Sequence, residues 1–154
     1  MWNKWTALGL IVLVVPIVIV YALSLFARQP PNLGVKNGKL AACPSSPNCV
    51  STQAEDTEHR IEAMRYIGTP GEGMAKLKQT LATLPRTQIV TETEDYLHAE
   101  CRSLIFRYPD DVEFWIDEPN GTIQFRSASR LGRSDFGVNR ERMEAIRAAF
   151  NGGK

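Results

Sequence analysis

An uninterrupted apolar segment near the start of the chain constrains its architecture more than any other feature. Residues 5–26 contain no charged side chain and consist mostly of leucine, isoleucine, valine and alanine. As a helix, these 22 residues would extend roughly 33 Å, enough to cross a hydrocarbon core of about 30 Å. A helix packed in a soluble core would show a polar face, which this segment does not have.

Aromatic side chains flank the segment, since Trp2 and Trp5 lie at its start and Tyr21 and Phe26 at its end. Such rings are enriched at membrane interfaces. We therefore predict a transmembrane anchor over residues 1–27. A cleaved signal peptide is the alternative, because a lysine precedes the run and small residues near its end resemble a cleavage site. The run is longer than the usual signal-peptide core of about 7–15 residues, which favours the anchor.

The charges beside the anchor leave its orientation open. Lys4 lies on one side and three basic residues lie within 28–39 on the other, so positive charge alone weakly favours a cytoplasmic domain. An N-terminal anchor with so short a tail more often exports the domain attached to its C-terminal end. We expect a single-pass protein of the cell membrane whose domain lies in the periplasm or an equivalent compartment.

Beyond the anchor the charges balance. Of the 18 lysines and arginines only Lys4 precedes Arg28, so residues 28–154 carry 17 basic and 17 acidic side chains. A neutral domain has no electrostatic footprint of a general nucleic-acid binder, and we expect no nucleic-acid partner.

Composition and periodicity divide the remaining chain into a linker and one domain. Residues 28–40 contain two adjacent prolines and two glycines, which is typical of an extended linker. Residues 41–151 would form a small α+β domain, an antiparallel sheet with about two packed helices. The predicted helices are 71–84 and 137–150, and the predicted strands are 88–93, 96–106, 111–117 and 122–129.

The last two strands form the clearest hairpin. Asn120-Gly121 favours a two-residue type I′ turn, which would place Pro119 opposite Thr122 and fix the register. The outer face of this hairpin then carries two carboxylates and two arginines around Trp115. The predicted pairs there are Trp115 with Arg126, Glu113 with Ala128, and Asp111 with Arg130.

Three interpretations of this charged face remain open. Its arginines could bind a carboxylate or phosphate, its carboxylates could serve a catalytic groove, or the ion pairs could satisfy each other on a solvated face.

The cysteines offer a structural feature rather than a reactive one. Cys43 and Cys49 flank a proline-rich loop and are good disulfide candidates in an exported domain, with free thiols or metal and redox ligands as alternatives. Cys101 would share the apolar face of its strand with Leu97, Ala99 and Ile105, as a small buried hydrophobe.

We expect no metal and no cofactor. His98 and Cys101 point to opposite faces of one predicted strand and cannot share a zinc ion. His59 lies in a charged stretch and would be solvated, and the chain has neither a nucleophile elbow nor a phosphate-binding loop.

Three motifs resemble one known family. They are CPSSPNCVS at 43–51, DDVEF at 110–114 and RSASRLGRSDFGVNRER at 126–142. The chain is similar to domain-of-unknown-function family 1499, of bacteria and plant plastids, from about Leu40 to Phe150. The family has no assigned reaction, cofactor or partner, and members often carry an N-terminal membrane or export segment. The resemblance therefore supports the domain boundaries and the export hypothesis, and leaves the function open.

Together these features favour a membrane-tethered binding or assembly domain. The predicted contact residues are Asp111, Glu113, Arg126, Arg130, Asp135, Asn139 and Arg142. The arginines would engage an anionic ligand or a membrane-protein partner beside the lipid bilayer, and the carboxylates would orient them. A hydrolase-like enzyme using these carboxylates is the alternative, and a motif that only locks the hairpin onto the last helix is a third.

Overall fold

The computed structural model describes residues 3–152, so the predicted interface role of Trp2 lies outside the described residues. Helix α1 (Lys4–Leu25) begins after Asn3, whose side chain accepts a hydrogen bond of 2.8 Å from the backbone N–H of Thr6. Its large apolar side chains between Leu8 and Ile19 are exposed on all sides of the helix. Among residues 3–152, α1 is the one helix long and apolar enough to cross a membrane.

Two amphipathic helices lie at the predicted positions, within two residues at each end. Helix α2 (Pro70–Ala82) begins at a capping box, in which Thr69 and Glu72 satisfy each other's backbone N–H groups. Helix α3 (Val138–Phe150) begins after Gly137. The buried stripes consist of Met74, Leu77 and Leu81 in α2 and of Met143, Ile146 and Phe150 in α3.

Six strands form one antiparallel sheet, which confirms the predicted α+β fold. They are β1 (Cys49–Ser51), β2 (Met64–Arg65), β3 (Thr87–Glu92), β4 (Tyr96–Arg102), β5 (Pro109–Asp117) and β6 (Thr122–Ser129). Their spatial order is β1-β6-β5-β4-β3, and the short β2 also pairs with β6.

The register of the β5–β6 hairpin differs from the prediction. The loop is a 3-10 turn over Glu118–Asn120 followed by Gly121, which lies in the left-handed region at φ 61°. Asp117 therefore pairs with Thr122, and each β5 residue lies opposite a β6 residue two positions earlier than predicted. The predicted two-residue turn is wrong, because it would place Pro119 in the last pair of the strand ladder. That position requires a backbone N–H donor, which proline does not have.

This shift changes the partners and preserves the faces. Side chains alternate with a period of two, so an offset of two residues leaves each one on its predicted side. The corrected pairs are Glu113 with Arg126, Trp115 with Gln124, and Asp111 with Ala128.

Strand β4 ends earlier than predicted. After Arg102 the chain turns, and the N–H of Ser103 donates to the carbonyl of Tyr108 at 3.0 Å. Arg107 adopts a left-handed backbone at φ 57°, which an extended strand does not accommodate. Ile105 is therefore exposed in this turn, not packed in the core as predicted.

The sheet is covered on both faces. Helices α2 and α3 pack on one side, where Leu77, Phe114, Phe125 and Ile146 are fully buried. Segments of the chain between α1 and β1 lie against the other side. The interpretation in which this second face is solvated is wrong, because its charged side chains are buried.

Candidate functional site

The side of the sheet opposite α2 and α3 carries charged and aromatic groups, and we call it the polar face. Strand pairing places its members on one side of β4, β5 and β6. They are Tyr96, His98, Glu100, Asp111, Glu113, Trp115 and Arg126, with Arg130 directly after β6. Asp111 is 1% and Glu113 0% exposed, so both charges have to be satisfied inside the protein.

Asp111 is held from two sides. The guanidinium of Arg130 donates to it twice, from Nε to Oδ2 at 2.9 Å and from Nη2 to Oδ1 at 2.7 Å. Nε2 of His98 lies 2.7 Å from the same Oδ1. Burial alone would raise the pKa of Asp111, but the hydrogen bonds and charges of Arg130 and His98 outweigh it and hold the pKa below its usual value.

The third nitrogen of the Arg130 guanidinium is also occupied. Its Nη1 lies 2.8 Å from Oε2 of Glu100 and donates to the carbonyl of Ala27 at 3.2 Å. Glu100 is shared with Arg102, whose Nη2 lies 2.6 Å from Oε1. The hydrogen bonds to Asp111 raise the pKa of Arg130, and each nitrogen of its guanidinium has an acceptor.

Glu113 accepts mostly from neutral groups. The hydroxyl of Tyr96 donates to its Oε1 at 2.9 Å, and the backbone N–H of Gly34 donates to the same oxygen at 2.7 Å. Burial, and then the charge of Glu113, raise the pKa of Tyr96, which remains a donor.

Arg126 is the incompletely satisfied member of the polar face. Its side chain is buried, with 6% of the residue exposed, and Nη1 donates to Oε2 of Glu113 over a long 3.3 Å. Within residues 3–152, its shielded Nε has no hydrogen-bond acceptor. An unmatched buried donor is costly, so Arg126 has donor capacity that the protein itself does not use.

A concave region lies next to Arg126. A cavity of about 370 Å³ is lined in part by Lys39, Leu40, Ser51 and Gln53. Ser51 is the cross-strand partner of Arg126, and such partners point to the same side of a sheet, roughly 5 Å apart. The cavity thus lies beside the cross-strand neighbour of Arg126, and its lining includes the carboxylates of Glu55 and Asp56 as well as Lys39.

The chain that follows α1 covers the polar face. Besides the contacts of Ala27 and Gly34, Nε2 of Gln29 lies 3.4 Å from Nδ1 of His98. Gly38 lies over the ring of Trp115, since a Cβ built on it would be 3.7 Å from that ring. The segment predicted as a linker thus supplies part of the site.

A second polar group lies on the helix side of the sheet, and we call it the helix-side cluster. Nη2 of Arg142 donates to Oδ2 of Asp110 at 2.6 Å, and Asn139 accepts from the hydroxyl of Ser127. Asp135 accepts from the backbone N–H of Asn139 at 2.8 Å, which satisfies a free donor at the start of α3. These contacts tie β5, β6 and α3 together.

The seven predicted contact residues therefore divide between two places. Asp111, Glu113, Arg126 and Arg130 come together on the polar face, and Asp135, Asn139 and Arg142 lie across the sheet in the helix-side cluster. Since a β-sheet separates the two groups, they do not form one surface.

Sequence reasoning left several residues of the polar face out of the predicted site. His98 and Glu100 were placed on a polar strand face, and Tyr96 continues their alternation, so period-two spacing was a usable signal. Gln29 and Gly34 gave no signal, because their contacts join residues 69 and 79 positions apart in the chain.

The cysteines behave as predicted. Cys43 and Cys49 form a disulfide, with their Cα atoms 5.7 Å apart. Cys101 is a buried free thiol, and burial raises its pKa.

His59 corrects a prediction, because it is buried rather than solvated. Its Nδ1 lies 2.7 Å from Asp56 and its Nε2 lies 3.1 Å from the carbonyl of Ser46. Burial would lower the pKa of His59, but these two partners raise it above the usual value. In the part of the chain that the structure describes, no three His, Cys, Asp or Glu side chains are grouped to hold a metal ion.

Fold and site together define a small α+β domain with an apolar N-terminal helix and a buried charged sheet face. The family described as Protein of unknown function (DUF1499) matches residues 39–150. The chain belongs to this family, as its three motifs predicted. No curated protein and no solved structure matches it.

Proposed function

We propose that this protein is a membrane-anchored binding domain outside the cytoplasm that receives the anionic group of a ligand or partner at Arg126. The observation that carries the proposal is the Nε of Arg126, a buried charged donor without an acceptor among residues 3–152. A carboxylate or phosphate oxygen is the acceptor that a guanidinium fork prefers.

The proposal narrows the predicted contact set. Arg130 is bidentate to Asp111 and also engaged by Glu100 and Ala27, so each of its three nitrogens already has a partner. Arg126 has one long contact to Glu113, a carboxylate whose other oxygen already accepts hydrogen bonds from Tyr96 and Gly34. Arg126 is thus the recognition residue, and the carboxylates hold the arginines in place.

Two features support the proposed location of the domain, at a membrane and outside the cytoplasm. Helix α1 exposes apolar side chains on all sides and is long enough to cross a bilayer. The Cys43–Cys49 disulfide belongs to oxidising compartments such as the periplasm, because cytosolic thiols are kept reduced.

The alternative, an enzyme that uses these carboxylates, is less well supported. A general acid at neutral pH needs a raised carboxyl pKa, whereas Arg130 and His98 hold the pKa of Asp111 below its usual value. A binding role needs only the unused donor of Arg126.

The test compares full-length wild type with Arg126→Gln, each purified from membranes with its bound lipids, small molecules and partner proteins identified by mass spectrometry. We expect an anionic species that wild type retains and Arg126→Gln loses. Arg65→Gln is the control, because Arg65 is an exposed arginine at the hairpin end of β6, where it lies opposite Thr122.

A second variant separates recognition from folding. Arg126→Lys keeps a cation beside Glu113 but removes the Nε donor, so it should fold with an intact disulfide and still lose the ligand. Identical co-purifying species in wild type and in both Arg126 variants would refute the anion site.

A further inference from the structure

We infer that two loops of the domain form a membrane-docking surface that rests on the same leaflet of the bilayer in which α1 ends. The loops are residues 103–108, between β4 and β5, and residues 130–137, between β6 and α3. The occupant is a bilayer that contains anionic phospholipid. The inference shares the anchor with the proposed function but does not depend on the anion site at Arg126.

Both loops lie at one end of the sheet. Strand β4 ends where β5 begins, with Arg102 paired to Pro109, and Ser129 at the end of β6 pairs with Asp110. The N–H of Arg130 donates to the carbonyl of Pro109 at 3.1 Å, which joins the two loops directly.

The anchor leaves from this same end. Nη1 of Arg130 donates to the carbonyl of Ala27, and Ala27 lies two residues after the end of α1 at Leu25. Two residues of chain span at most about 7 Å. The end of the domain that carries both loops is therefore held close to the surface from which α1 emerges.

The loop tips have the side chains that a bilayer interface requires. Leu104 and Ile105 are 71% and 72% exposed, and Phe136 is 94% exposed. Large apolar side chains grouped in this way mark an interaction surface in a soluble domain. At the boundary between headgroups and acyl chains they become buried.

The charge at this end fits an anionic surface. The exposed Arg133 and the half-exposed Arg107 lie in these two loops, and the exposed Arg86 lies beside them, since its carbonyl accepts from the N–H of Arg102 at 3.0 Å. The acidic residue among them, Asp135, is occupied by the backbone N–H groups of Gly137 and Asn139. Arginines at a membrane surface are attracted to anionic headgroups.

The experiment uses full-length protein in nanodiscs of phosphatidylcholine and phosphatidylglycerol, one copy per disc, so that the anchor is retained in every sample. Leu104→Cys, Phe136→Cys and Ile67→Cys each carry an environment-sensitive fluorophore. Ile67 is the matched control, because it is 94% exposed and follows β2, which pairs with the hairpin end of β6. The wild-type chain measures any background from Cys101.

We expect blue-shifted emission, and quenching by nitroxide lipids, at positions 104 and 136 and not at 67. Adding Arg133→Gln to Phe136→Cys should weaken the quenching, and so should replacing phosphatidylglycerol with phosphatidylcholine. Water-like emission at all three positions would overturn the inference. The inference would also be overturned if the blue shift were absent with one copy per disc and present with two copies per disc. That result would assign the surface to contact between chains. In either case the anion site at Arg126 would stand unaffected.

Discussion

Arg126 lies within β6 and Arg130 follows that strand four residues later, yet their surroundings differ. Arg130 has a bidentate carboxylate partner and two further acceptors. Arg126 shares one carboxylate at 3.3 Å with a tyrosine and a backbone N–H. Buried ion pairs stabilise a fold only when each hydrogen-bonding group is satisfied. Arg130 is therefore a structural residue, and Arg126 carries the proposed binding role.

Asp111→Asn is expected to destabilise the domain, because it removes the charge that holds Arg130 and His98. Loss of one member of a buried pair costs about 3–5 kcal/mol. The cost should fall toward the lower end, since Glu100 still lies beside Arg130. Chemical unfolding of the full-length protein in detergent measures the difference.

The pH dependence of this pair has a definite sign. The pKa of Asp111 is lowered in the fold, so its stabilising contribution is present above the unfolded pKa of about 3.9 and is lost as the pH falls through the folded pKa. Wild type should therefore lose stability on acidification below about pH 4 more steeply than Asp111→Asn. The exposed Glu94→Gln serves as control, and parallel acid profiles of wild type and Asp111→Asn would contradict the assignment.

At the scale of elements, alternation along the strands was predictable and the contacts between distant segments were not. The faces of Asp111, Glu113 and Arg126 follow from a period of two, which survives a register offset of two residues. Alternation does not fix the register, which depends on Pro119 because proline cannot donate a hydrogen bond to the opposite strand. The predicted face was right and its burial was missed, because the covering residues Gln29 and Gly34 lie far away in the sequence.

The helix-side cluster joins α3 to the hairpin, and Arg142→Ala should break this connection. It leaves Asp110, which is buried, without its cation, at a cost of about 3–5 kcal/mol. The double variant Asp110→Asn with Arg142→Ala should recover part of that loss, because the buried charge is gone. Thermal unfolding of wild type, of Asp110→Asn, of Arg142→Ala and of the double variant gives the coupling energy between the two residues. Strictly additive losses would mean that the pair does not lock α3.

At the scale of the whole molecule, helix α1 and the domain are joined by a segment that contacts the polar face. The chain after α1 donates to Glu113 and accepts from Arg130, so the segment that joins α1 to the domain also completes the polar face. A domain released from α1 by cleavage near residue 25 would still contain Ala27 and Gly34, and these residues could keep both contacts. One short stretch of sequence therefore both follows the apolar helix and covers the polar face.

The compartment of the domain can be determined from its thiols. An oxidising environment maintains the Cys43–Cys49 disulfide, so the presence of this bond in cells reports the compartment. To measure it, cells are quenched in acid and their free thiols are blocked under denaturing conditions. The protein is then reduced and labelled with a polyethylene-glycol maleimide. Wild type should gain two adducts, because Cys101 is blocked in the first step, and Cys43→Ser should gain none. If all three thiols of wild type are free at quenching, the domain lies in a reducing compartment and the proposed location outside the cytoplasm is wrong.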